Sequence, residues 1–96
     1  MAELELDVRD NPERSRYEAL VGTDVAGFAA YRDIDGARVF THTLVDDDYE
    51  GHGVGGRLAR AALDDVRARG LQAVARCPFI AAWVQRHPDY QDLIRP

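Results

Sequence analysis

The sequence has no lysine: all twelve basic residues are arginine. That excludes a lysine base or a lysine Schiff base from any chemistry the chain performs. It has one cysteine, Cys77, so it can form neither an intramolecular disulfide nor a multi-cysteine metal site. No apolar run approaches the roughly 20 residues that span a bilayer. The start, Met1-Ala2-Glu3-Leu4-Glu5, is acidic and lacks an apolar signal core. Positive charge is also scarce: the net charge is −5, whereas nucleic-acid binders normally carry a basic face. The three histidines share no metal-ligand spacing, so no metal is expected. These absences together predict a soluble cytoplasmic protein, monomeric or weakly dimeric, with no nucleic-acid or membrane partner.

What is present points to one small domain. The chain has 96 residues, 46% of them hydrophobic, enough for a single core over residues 1–96. Leu4, Leu6 and Val8 alternate with Glu5, Asp7 and Arg9, the period of a half-buried strand. Asp10-Asn11-Pro12-Glu13 is turn chemistry. Residues 16–21 read as a second strand with Tyr17, Ala19 and Val21 on one face. A third covers 25–33, with Ala26, Phe28, Ala30 and Arg32 opposite Val25, Gly27, Ala29 and Tyr31. Asp33-Ile34-Asp35-Gly36 closes a hairpin, and 37–45, rich in β-branched and aromatic residues, is the fourth strand.

The period then changes. Leu58, Ala62 and Val66, flanked by Ala59 and Leu63, form a helical stripe, with Asp65 and Arg69 in the favourable i,i+4 order and Gly70 as the stop. Residues 71–77 read as a fifth strand. Pro78 opens a second helix bearing Phe79, Ile80, Trp83 and Val84, and Pro88 ends it. The tail should pack Tyr90, Leu93 and Ile94 back on the sheet. The order is β-β-β-β-α-β-α: a mixed, mostly antiparallel α/β (α+β) sheet. Its one parallel pair joins the fourth and fifth strands through the crossover helix.

Between strand four and that helix lies Tyr49-Glu50-Gly51-His52-Gly53-Val54-Gly55-Gly56-Arg57-Leu58. Glycines before a helix N-terminus make an anion site from unpaired N–H groups and the helix dipole. Gly51, Gly53 and Gly56 formally match the dinucleotide fingerprint, but they follow a meander rather than open a βαβ unit, and Asp64 and Asp65 come too early for the ribose acid. A P-loop needs Gly-Lys-Ser/Thr, which is missing.

Glu50-Gly51-His52-Gly53-Val54-Gly55 resembles instead the GNAT N-acetyltransferase motif Q/R-x-x-G-x-G/A. The later segments Cys77-Pro78-Phe79-Ile80 and Arg86-His87-Pro88-Asp89-Tyr90, with His42-Thr43 upstream, are similar to a small single-domain GNAT-like family; the resemblance runs over roughly residues 17–94. It implies a GNAT-like fold with splayed fourth and fifth strands, acetyl-CoA or coenzyme A as cofactor, and an amine acceptor of unknown identity. The pyrophosphate would rest on Gly51, His52, Gly53, Val54, Gly55, Gly56 and Arg57, with the Val45 N–H as oxyanion donor. Glu50 departs from the motif's Gln or Arg, and Leu44 stands where an acidic residue should follow His-Thr. The family's lack of helices between the first two strands implies an open acceptor site.

Two side chains are the catalytic candidates. Cys77, at the end of the fifth strand, would carry or adjoin the acyl group; it also reads as a small buried core residue. His42 would deprotonate the amine, or is simply a strand histidine. His87 reads as a helix-end cap, Tyr90 and Trp83 as core, and Asp46-Asp47-Asp48 as a solvated turn. Three functions remain open: an acetyl-CoA-dependent N-acetyltransferase, a module that binds CoA with little turnover, or a protein-interaction domain with an empty cleft.

Overall fold

The computed structural model describes residues 5–95; the expectation for Leu4 lies outside them. Five strands lie in the order β1-β2-β3-β4-β5: β1 Asp7–Asn11, β2 Arg16–Val21, β3 Asp24–Ile34, β4 Ala37–Val45 and β5 Gln72–Ala75. The first four pair antiparallel, and β4 with β5 is the parallel pair. Helix α1, Val54–Ala68, is the crossover, and α2, Pro78–Gln85, follows β5. This is the expected α/β arrangement.

The hairpin between β3 and β4 turns on Asp35 (φ 51°) and Gly36 (φ 77°), the positive-φ pair that two-residue hairpins demand. Leu58, Ala62, Leu63 and Val66 of α1 are buried and pack with Tyr17, Ala29 and Phe40 of the sheet. Leu6 and Val8 pack against the same core. Asp65 and Arg69 pair as the sequence suggests, at 2.8 Å. In the tail Tyr90 and Leu93 are buried, and Ile94 bridges to Ala73 on the free edge of β5.

Three local readings need correction. Strand β1 runs on through Asp10 and Asn11, because both pair with β2, at Tyr17 and Arg16; the turn is displaced to Pro12–Arg14. Strand β5 stops at Ala75, not at Cys77. In β3, Ala26 is an extra residue between the pairs Ala19–Gly27 and Leu20–Val25. That bulge buries Ala26 and Gly27 together and turns Val25 onto the face of Phe28 and Ala30, where strict alternation would put it opposite.

Candidate functional site: a slot between two strands beside a glycine loop

The parallel pairing ends at one atom. The Phe40 carbonyl accepts the N–H of Arg76 at 3.1 Å and of Cys77 at 2.9 Å. There the chain leaves the sheet to enter α2, while β4 continues to Val45. On its other edge β4 stays bonded to β3, and the Asp46 N–H still donates to the Ala26 carbonyl at 2.8 Å. Successive N–H groups of an antiparallel strand point to opposite edges. The Val45 and Thr43 N–H groups therefore face the slot that β5 has vacated. At its base the Thr43 hydroxyl lies 3.4 Å from Cys77 Sγ. Cys77 is 2% exposed and occupies the N-cap of α2, with Pro78 in its first turn.

A second bulge decides what faces what. Tyr31 pairs with Phe40 and Ala30 with His42, leaving Thr41 as the extra residue. Phe40 is buried with Tyr17 and Tyr31, so it points to the helix side. Regular alternation would send His42 the same way. The inserted Thr41 instead puts His42 and Leu44 on the bare face and Thr43 on the helix side, against Cys77. The structure thus does not bring His42 and Cys77 together: they stand on opposite sides of the sheet. His42 is exposed, packs edge-on against the Phe28 ring at 5.6 Å, and has Nδ1 3.4 Å from the Thr41 hydroxyl.

The glycine loop divides into two halves with different physical reasons. Gly51 (φ 82°) and Gly53 (φ 73°) need the left-handed region, and a Cβ at either would meet nothing within 4 Å. Gly53 is the N-cap of α1, and no side chain caps that end. The first intrahelical bond runs from the Arg57 N–H to the Gly53 carbonyl. The N–H groups of Val54, Gly55 and Gly56 are therefore left over, with no acidic side chain in the first turn. Gly55 and Gly56 serve packing. A Cβ on Gly55 would stand 2.7 Å from Phe79 Cζ, and one on Gly56 3.7 Å from Trp83 Nε1. Helix α2 thus clamps the first turn of α1. Val54 is buried in the core, and His52 is exposed. Arg57 is exposed and donates to the Leu6 carbonyl at 3.2 Å. Glu50 is exposed at the end of the Asp47–Tyr49 turn, whose N-terminus Asp46 caps by accepting from the Asp48 N–H.

The remaining candidates are structural. His87 Nδ1 lies 2.7 Å from the Trp83 carbonyl at the end of α2, and its ring stacks on Trp83 at 3.8 Å. The Tyr90 hydroxyl donates to Asp64 at 2.7 Å and accepts from Arg60, which ties the tail to α1; the bond to Asp64, then burial, holds the phenol's pKa up against the opposing effect of Arg60. No group of three metal-ligating side chains occurs among the described residues. A cleft of about 550 Å³ between β5, α2 and the tail and one of about 620 Å³ between β1 and α1 contain no residue of the glycine loop. The slot is bounded by the edge of β4 beyond Phe40 and by the start of α2. Sequence reasoning missed Thr43 and Phe79 as site neighbours. Both belong to the segments that carry the family resemblance, but nothing in the sequence aims Phe79 at Gly55, and the orientation of Thr43 depends on the bulge.

A family model described as GCN5-related N-acetyl-transferase matches residues 16–93. The chain belongs to the GCN5-related N-acetyltransferase family. The chain is 39% identical over 57 residues to the protein NATD1 of Mus musculus, covering 57% of this chain and 52% of that one; the Homo sapiens protein gives the same identity with 50% of its length covered. The chain thus spans about half the length of the curated relatives it matches. A GCN5-like protein from Staphylococcus aureus, solved by solution NMR, superposes with a TM-score of 0.70. It is 26% identical, over 99% of this chain and 91% of that one. For a GCN5-related N-acetyltransferase the general chemistry is acyl transfer. No helix among the described residues is long and apolar enough to cross a membrane.

Proposed function

We propose that this chain is an acetyl-CoA-dependent N-acetyltransferase acting on an amine. The observation that carries the reading is the juxtaposition of the uncapped N-terminus of α1 with the slot where β5 leaves β4. The residues fit the group. Gly51 and Gly53 leave open space where side chains would stand. The N–H groups of Val54, Gly55 and Gly56 suit a pyrophosphate, and Arg57 and His52 flank it. When bound, acetyl-CoA supplies an acyl thioester. The Val45 N–H, aimed into the slot, is the oxyanion donor. Cys77 and Thr43 line the base of the slot beside the acyl group. His42 accepts the amine's proton from the bare face, through Nε2, since Nδ1 faces Thr41. Leu44, where the resembling family carries an acid, leaves His42 as the base on this stretch.

The second reading, a CoA-binding module with little turnover, is favoured by that same Leu44. Titration calorimetry with CoA and acetyl-CoA tests what the two share. The sole tryptophan, Trp83, abuts Gly56, so ligand on the loop should also change its fluorescence. No binding at millimolar ligand would sink both. Release of free CoA over a panel of amines separates them: a flat panel leaves the binding module. Intact-mass spectrometry after acetyl-CoA treatment tests Cys77. Because the chain has no lysine, an added acetyl group that Cys77→Ser abolishes would sit on that thiol; an unchanged mass argues for direct transfer past it.

A further inference from the structure

The face of the sheet away from α1 and α2 has a defined chemistry. The pairing places Glu18, Phe28 and Leu44 in one lateral row and Arg16, Ala30 and His42 in the next; residues directly opposite share a face. Leu20 and Val25 extend it. This is a continuous apolar strip on the bare side, with Leu44 55% and Val25 38% exposed, and His42 stands beside it. Its charges are already satisfied. Arg16 binds Glu18 at 2.7 Å and lies over the Phe28 ring at 4.5 Å, while Glu18 also accepts from Asn11. Burial works to raise Glu18, and the hydrogen bonds from Arg16 and Asn11 outweigh it and hold the carboxyl below its usual range. A polycation on this strip would meet Arg16 and find no free carboxylate within the two rows.

We propose that the Phe28–His42–Leu44 strip is the acceptor site, and that it takes a monoamine with an aromatic or alkyl body in preference to a polyamine. The inference rests on the acyltransferase reading, because β4 is the wall shared by this strip and the slot. The apolar body lies on Leu44 and Phe28, and the amine end reaches His42 at the point where the Thr41 bulge turns that ring outward. The ion pair of Arg16 and Glu18 closes the far side and excludes a second cationic end.

The test uses the full chain, 15N-labelled, with phenethylamine as probe and spermidine as comparator. Phenethylamine should shift the amides of Phe28, Ala30, His42 and Leu44, and Leu44→Asp should weaken its binding about tenfold or more. Leu44 is largely exposed, so that variant should keep its melting temperature. CoA release should favour phenethylamine over spermidine by about tenfold in kcat/KM. Spermidine shifting the same amides more strongly, or phenethylamine shifting none of them, overturns the proposal. So do shifts in this strip that grow with protein concentration alone, which would make the occupant a second copy of the chain. The two readings fail separately. Phenethylamine binding on the strip with no CoA release from any amine of the panel refutes acyl transfer and leaves the strip as a binding surface; CoA release with spermidine alone upholds acyl transfer and refutes the monoamine.

Discussion

Two glycines that look alike in the sequence differ in what surrounds them. A Cβ on Gly27 would stand 2.8 Å from the Leu44 carbonyl oxygen, 3.2 Å from Val54 and 3.3 Å from Leu58. The oxygen is backbone in a paired strand and has nowhere to go. A Cβ on Gly55 meets the tip of Phe79, whose ring is 38% exposed and can swing outward. Gly27→Ala should therefore cost about 1–3 kcal/mol, and Gly55→Ala clearly less. The second loss should be recovered in Gly55→Ala/Phe79→Leu, because the shorter side chain leaves room. Urea unfolding of the three variants decides the point: equal losses at Gly27 and Gly55 would mean that the Leu44 carbonyl yields as easily as a ring.

At the scale of elements, the packing of Thr41 as an unpaired bulge is what lets Phe40 and His42 face opposite sides of the sheet. Deleting Thr41 removes the unpaired residue and leaves His42 opposite Ala30 and Thr43 opposite Ala29, so each side chain keeps its face. The deletion loses the local bend of the bulge and the Thr41 hydroxyl's contacts with the Ala30 carbonyl and His42, and should cost no more than about 2 kcal/mol. Thr41→Val keeps the residue count and should stay within about 1 kcal/mol. A deletion that unfolds the chain would show that the fold depends on the bend that the bulge puts into β4. The same feature marks how far the sequence could be read. The meander, the crossover helix and the second helix were legible because their apolar residues recur at period two or at helical spacing. The glycine loop was legible because Gly51 and Gly53 have a backbone reason to be there. The bulges at Ala26 and Thr41 were not: one extra residue leaves composition and propensity unchanged and shows only in the pairing. The sequence therefore offered His42 and Cys77 as two separate candidates, and only the register shows that they lie on opposite faces.

Across the whole molecule, one buried cation joins five elements that lie far apart in the chain. Arg38 on β4 is 5% exposed. It binds Asp33 of β3 at 2.8 Å, donates to the Tyr17 hydroxyl of β2 at 2.7 Å, and lies 3.6 Å from Asp10 of β1 and 3.7 Å from Asp65 of α1. The Tyr17 hydroxyl in turn donates to Asp65 and the Tyr31 hydroxyl to Asp10, both at 2.6 Å, and Arg38 covers the Tyr31 ring at 4.1 Å. No periodicity signals such a cluster, because its members come from positions 10, 17, 31, 33, 38 and 65. Its consequence is alkaline sensitivity. Burial, then the hydrogen bond to Asp10, pushes Tyr31 up to about 12 from 10.0. Burial, then the bond to Asp65, raises Tyr17 further, and Tyr49 and Tyr90 also lie above their ordinary value. Above pH 10 the unfolded chain thus gives up phenolic protons that the folded chain keeps. The stabilisation is complete below pH 10 and is lost as pH rises toward 12. The urea midpoint should hold level from pH 8 to about 10 and then fall. Tyrosinate absorbance should appear late and together with unfolding. Tyr17→Phe removes one of the two strongest contributors, so its midpoint should be lower at pH 8 and fall less steeply above pH 10. Normal titration of all four tyrosines near pH 10 in a chain that stays folded would refute the assignment.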